Sequence, residues 1–403
     1  MKQVLTDDVL KKYADVMVNF APWSGRGVQK GETVMLDISE SGRRMLPFMY
    51  EAILKAGANP IVRLHPEGLG KTFYELASDE QLSYYSKNAM MGRIEDVTHW
   101  IRVLSEYNPL EMQGVDSEKI MKRIKAGGFY KEALFEKCDR GKAFWTLCRY
   151  GTEGMASEAG MTVDEYWEQI IKACYLDMDD PVSCWKETFT KIEFVIDYLN
   201  KLDIDWIHVE SENCDLKIKI GEKRKWLGGS GHNIPSFEVF ISPDFRGTDG
   251  WIKFDQPLYR YGNLIEGISL KFNDGKVVEA SARKNEKVLK DMIAVEGADM
   301  VGEFSLTDKR LSRIDRFMAD TLFDENYGGE YGNTHIALGS AYKDSYTGED
   351  AEKLTSQDWK ELGFNESAVH TDIVSTVNRK ATAYLKDGSS QVIYKDGMFT
   401  FLD

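Results

Sequence analysis

Basic residues are in deficit. Lys+Arg number 51 against 66 Asp+Glu, a formal charge of -15 over 403 residues. That is the wrong sign for neutralising phosphates or anionic lipid heads, so neither nucleic acid nor a membrane surface is expected as a partner. Nowhere do eighteen apolar residues run together, and Met1 to Leu10 (MKQVLTDDVL) holds no stretch resembling a signal peptide; a cytoplasmic protein is expected. The five cysteines, Cys138, Cys148, Cys174, Cys184 and Cys214, are scattered with no Cys-x-x-Cys pair, which points to reduced, mostly buried thiols. Cys148 in AFWTLCRY and Cys174 in a helix-like stretch read as packed thiols, not nucleophiles. A nucleotide fingerprint is also missing. After the first predicted strand comes SESGRR instead of G-x-G-x-x-G, Gly25-Arg-Gly27 precedes that strand, and there is no Walker loop, so dinucleotide and phosphate-loop chemistry are set aside. Histidine is rare too, with six in the chain.

What is present is a globular composition, 42% hydrophobic and 12% aromatic, long enough for about two to three domains. The N-terminal part reads as α/β. A helix is expected over 6 to 20, a strand over Thr33 to Ile38, a helix from Arg43 to Ala56 stopped by Gly57, and a strand over Pro60 to Leu64. This β-α-β pattern argues for a mostly parallel sheet. A strand over Ala143 to Tyr150, a helix opened by the capping box Thr162-Val-Asp-Glu165 and a long helix from Val182 to Leu202 follow. From Trp206 the texture becomes β-rich, with strands over 207–209, 215–220, 237–241, 250–254, 265–272 and 276–282. Hairpins are expected at Asp274-Gly275, Asp387-Gly388 and Asp396-Gly397, with helices over 285–295 and 311–319. The expected architecture is an N-terminal α/β domain, 1–200, and a β-rich α+β C-terminal domain, 201–403.

Several acids stand beside the scarce histidines. His370 and Asp372 are two apart, so on a strand both leave one face; they can share a divalent cation, or form a surface hydrogen bond. His335 lies in NTHIALGSAY, a core histidine or a ligand, downstream of the acids in TLFDEN and a glycine-rich stretch. Glu238 in FEVFI and Glu303 in VGEF are solvent-facing acids of edge strands, or buried ones that need a cation.

These segments, with VQKGETVMLDIS, EAGMTVDEYWEQIIKACYLDMDDPVSCWKE, HNIPSFEVFISP, GADMVGEFSL and NESAVHTDIV, make the chain resemble, nearly end to end, the aminopeptidase T and aminopeptidase S family, metalloproteases with two metal ions per site. Carried over by motif, the resemblance implies metal ligands at Glu238, Glu303 (able to bridge), His335, His370 and Asp372, a further acid at Glu325, and a site tyrosine at Tyr342. It implies a metal-binding C-terminal domain, two divalent ions (Zn, Co or Mn), a homodimer, and release of N-terminal residues from short peptides by a two-metal-activated water. Glu238 or Glu325 is the expected proton acceptor or contact for the substrate amine, and Tyr342 the expected donor to the oxyanion. The chain departs from the family in reading Ile-Ser-Pro after Glu238-Val-Phe and in a longer insert, Tyr327 to Asn333, between two site residues. Two rivals are a ring-cleaving dioxygenase with one Fe(II) on His335, His370 and Asp372, and a non-catalytic relative.

Overall fold

The computed structural model describes residues 4–260 and 263–402, so the first three residues of the segment Met1 to Leu10 lie outside the described residues. Two compact units result: Met1–Lys186 with Ser230–Pro235, and Glu187–Gly229 with Ser236–Asp403. The division falls within the helix Pro181–Lys201, earlier than residue 200.

In the first unit β1 (Thr33–Ser39), β2 (Asn59–His65), β3 (His99–Leu104) and β4 (Phe144–Arg149) are parallel in the order 2-1-3-4. Asn233–Ile234 extends the sheet beside β4. That return is held by His232, whose ring stacks 4.3 Å from both Phe144 and Trp145. β1 is an interior strand, buried from Val34 to Ile38, as its apolar run requires. The one acid there, Asp37, is paired by Arg63 from β2 at 2.5 Å through both nitrogens. The N-terminal helix, capped by Thr6, is α-helical over Asp7–Asp15 and widens into a π-turn over Val16–Phe20. The helix expected from Arg43 starts instead as a 3-10 turn, Glu40–Met45, because Pro47 sits in the first turn of the α-helix Leu46–Lys55 and has no N–H to give. The capping box forms as expected, Thr162 and Glu165 each holding the other's backbone N–H.

The second unit contains an eight-stranded sheet, in the order Lys276–Ser281, Ser269–Asn273, Thr248–Lys253, Cys214–Lys219, Ile204–Ser211, Lys380–Leu385, Ser390–Lys395, Met398–Phe399. Its pairs are antiparallel. Asp274 and Gly275 take φ of 49° and 79°, the positive pair a two-residue hairpin demands. A second antiparallel sheet is built from β5 (Glu238–Ile241), β6 (Val301–Thr307), β7 (Asn333–Gly339) and β8 (His370–Ser375), in the order 8-7-6-5, with Leu227–Gly228 at the far edge. One face of this sheet is apolar and buried, with Val239, Ile241, Phe304, Leu306, Ile336 and Leu338 at 1% exposure or less. At about 1.5–3 kcal/mol per buried aliphatic or aromatic side chain, that face makes the sheet a rigid platform.

The helix expected over 311–319 does not form. Ser312 Oγ accepts from Ile314 N–H and donates to Asn326 O, and Asp324 Oδ1 accepts from Met318 N–H. Such side-chain bonds to backbone outcompete helix formation, and the chain next becomes helical at Thr321–Asp324. No helix among the described residues is long and apolar enough to cross a membrane.

Candidate metal centre

The polar face of the β5–β8 sheet gathers the predicted residues. Because side chains alternate along a strand, Glu238 on β5, Glu303 and Ser305 on β6, Asn333 and His335 on β7, and His370 and Asp372 on β8 leave on the face opposite the apolar one. The register makes them neighbours: Ser305 stands opposite Phe240 and His335, and Ala337 opposite both Glu303 and Asp372. Glu303 owes its aim to a bulge between Val301 and Glu303. The residue in that bulge is Gly302, where a Cβ would come within 2.4 Å of the carbonyl oxygens of Gly339 and Ser340.

Glu303 is the centre of the arrangement. Its Oε1 lies 3.3 Å from His335 Nε2 and its Oε2 3.4 Å from His370 Nε2. His335 Nε2 is also 3.2 Å from Glu238 Oε2, and His370 Nε2 is 3.4 Å from Asp372 Oδ1. Two donor sets follow, Glu238/Glu303/His335 and Glu303/His370/Asp372, each with its atoms within 4.8 Å of one another. A tetrahedral ion with bonds of about 2.1 Å needs donors about 3.4 Å apart, so separations of 3.2–3.4 Å suit a shared cation as well as long hydrogen bonds.

Charge points the same way. Glu238, Glu303 and Glu325 are 8%, 3% and 7% exposed, and the ion-pair partners of Glu238 and Glu303 are His335 and His370. Four carboxylates with Asp372 face two imidazoles, leaving two negative charges even with both rings protonated; two divalent cations and neutral rings would cancel all four. Burial, then the charges of Glu303 and Asp372, push Glu238 upward against the pull of His335. Burial, Glu238 and Asp372 push Glu325 well up. Burial works against charge on His335 and His370, but hydrogen bonds and attraction from the carboxylates raise both well above the usual imidazole value. Burial would raise Asp372 as well, yet His370, then His335 and Arg260, hold it below the usual carboxylate range.

Backbone and amide groups orient the rings. His370 Nδ1 is 2.8 Å from Ser340 O, and His335 Nδ1 is 3.3 Å from Asn333 Oδ1. Asn326, fully buried, accepts from Phe237 N–H at 2.5 Å, bringing the Asp-Glu-Asn segment to the start of β5. Glu325 is buried there, but its carboxylate belongs to neither donor set. Tyr342 places its ring 4.8 Å from that of His370 and 5.6 Å from that of Phe240. Desolvation and then Glu303, Asp372, Glu238 and Glu325 push its phenol well up, an effect discounted by solvent since the residue is 44% exposed. Exposure thus grows from His335 at 0% towards Tyr342, which marks the side open to solvent. The sequence reading missed Asn333, Ser305 and Asn326 as supporting groups. The Asn-x-His spacing carried the same one-face signal as His-x-Asp.

Comparison with known proteins places the chain among metalloproteases. The model of the thermophilic metalloprotease family, M29, matches residues 6–399. Aminopeptidase AmpS of Bacillus subtilis is 30% identical over 97% of this chain and 98% of its own length. Aminopeptidase T of Thermus thermophilus is 26% identical over 97% and 99%. The structure of wild-type AmpT from Thermus thermophilus superposes with a TM-score of 0.83 at 24% identity, over 97% of this chain and 99% of that one, and shows the same mixed α/β fold. The chain belongs to the thermophilic metalloprotease family M29.

Proposed function

We propose that this metalloprotease is a dinuclear aminopeptidase that removes N-terminal residues from short peptides. The observation that carries the reading is the carboxylate of Glu303, one oxygen towards each histidine, common to two donor sets; the aminopeptidase names of the relatives support the substrate class. Glu238 and His335 would hold one ion, His370 and Asp372 the other, and Glu303 both. Zn, Co and Mn all suit His/carboxylate donors. When bound, such a pair lowers the pKa of water and polarises a carbonyl oxygen.

The chain's own groups supply the rest. Glu325, outside both donor sets and buried, would take a proton or hold the free α-amine of the substrate. Tyr342, its phenol kept protonated by surrounding negative charge, donates a hydrogen bond to the developing oxyanion. The oxidative rival needs His335, His370 and Asp372 on one iron, whereas here the two histidines stand in different donor sets. A homodimer in the cytoplasm completes the reading, with sedimentation as the check on assembly.

The test is metal titration of metal-free protein against amino-acid p-nitroanilides, with ion stoichiometry measured in parallel. Activity that peaks at two ions per chain and is independent of O₂ is expected. One iron per chain with O₂-dependent turnover overturns the proposal.

A further inference from the structure

The insert Tyr327–Asn333 separates two residues of the site, and its last residue turns back into it. The chain enters β7 through Gly332 at φ +59°, where a Cβ would lie 2.2 Å from Thr307 O. This tight passage leaves Asn333, at 1% exposure, on the site face of β7 two residues before His335. Its amide orientation is decided by its surroundings. Asn333 Nδ2 lies 2.9 Å from Glu325 O and 2.8 Å from Tyr327 O, and both carbonyls can only accept. The NH₂ group therefore points at the insert and Oδ1 points at His335 Nδ1, 3.3 Å away. An acceptor there calls for a proton on Nδ1, which leaves Nε2 to turn its lone pair towards Glu238 and Glu303.

We propose that Asn333 is a positioning residue of the metal centre: its Oδ1 fixes the ring orientation of His335 while its NH₂ clamps the backbone of Glu325 and Tyr327, so that the insert itself sets the aim of one ligand. The inference rests on His335 being a metal ligand. Outer groups of this kind are worth about 10–100-fold in metal affinity, and the contact supports one ion only, because the other histidine is oriented separately by Ser340 O.

The experiment is a Zn²⁺ titration of metal-free full-length protein against a chromophoric chelator, with melting temperature as a second readout. Asn333→Ala is expected to weaken one of the two ions by about 10–100-fold and the other by less than about 3-fold. Asn333→Ser carries the same expectation should the alanine variant not fold. Asn333→Asp keeps an acceptor for His335 but gives up both donations, so it should melt earlier yet bind both ions within about 3-fold of the parent. Tyr327→Phe, which removes only the hydroxyl bonded to Asp315 O at 3.3 Å, should leave both affinities unchanged. Equal affinities in the parent and Asn333→Ala, or equal losses in Asn333→Ala and Asn333→Asp, overturn the inference. A parent that binds no Zn²⁺ overturns the metal reading itself, and the two failures are thereby told apart.

Discussion

Glu303→Gln tests the geometry most directly, because one carboxylate serves both donor sets. The amide keeps the size of the side chain but has only one carbonyl oxygen, so it can face His335 or His370 as an acceptor and must present NH₂ to the other. Binding to the native state stabilises by RT ln(1 + [L]/Kd), about 4 kcal/mol per ion at a thousandfold excess over Kd. Two ions then contribute about 8 kcal/mol, and at about 2–4 °C per kcal/mol for a unit of this size the metal-loaded parent should melt some 16–32 °C above the metal-free protein. Glu238 and Asp372 each belong to one set, so Glu238→Gln or Asp372→Asn should lose about half of that increment. Glu303→Gln takes the shared negative charge from both sets at once, and a neutral amide oxygen does not replace it in either, so this single substitution should lose nearly all of the increment. Calorimetry of metal-free and metal-loaded protein, with ion content measured on the same samples, gives both numbers. A Glu303→Gln protein that still carries one tight ion and half the shift would refute the shared-carboxylate geometry.

Three further outcomes are expected. Tyr342→Phe should lower kcat by about 10²–10³-fold with unchanged ion content; full turnover would remove its role as oxyanion donor. Gly302→Ala drives a Cβ against two carbonyl oxygens and should cost about 2–4 kcal/mol in urea unfolding together with metal affinity, since the bulge aims Glu303. In the first unit, burial alone would raise Asp37, but His65, 3.4 Å away, and the hydrogen bonds and charge of Arg63 hold it at about 2, against the ordinary 3.8. A lowered carboxylate contributes above its unfolded pKa and is lost as pH falls through the folded one. The pair should therefore contribute about 2 kcal/mol at pH 6, fading between about pH 4 and pH 2; unchanged acid sensitivity in Asp37→Asn, read by urea unfolding across that range, would contradict it.

Much of the local structure was legible because short-range chemistry decides it. Thr162 and Glu165 satisfy each other's helix-end donors, and Asp274-Gly275 supplies the positive φ pair, wherever the rest of the chain goes. Glu238 among apolar neighbours read either as a solvent-facing acid of an edge strand or as a buried one, and only the fold shows it buried; His370-Thr-Asp372 announced two polar side chains on one strand face. The segment 311–319 misled: its apolar spacing is helical, but Ser312 and Asp324 take its backbone N–H groups. The fifth strand of the first sheet, from residues 233–234, depends on His232 stacking with rings nearly ninety positions earlier, as the 87-residue separation of its bond to Trp145 O attests, a contact no local pattern encodes.

By itself, the sequence determined which residues were chemically able to serve: scarce histidines, acids set in apolar strands, and the order of motifs that marks the family. Tertiary structure alone decided what those residues do together. Glu303 faces both histidines because a bulge at Gly302 and the register of three strands turn its two oxygens towards rings 32 and 67 positions away, and such distances are closed by hydrogen bonding between strands. The same pairing leaves Glu325 outside both donor sets and brings Asn333 to His335, since the position of a buried polar group is set by the partners it must satisfy.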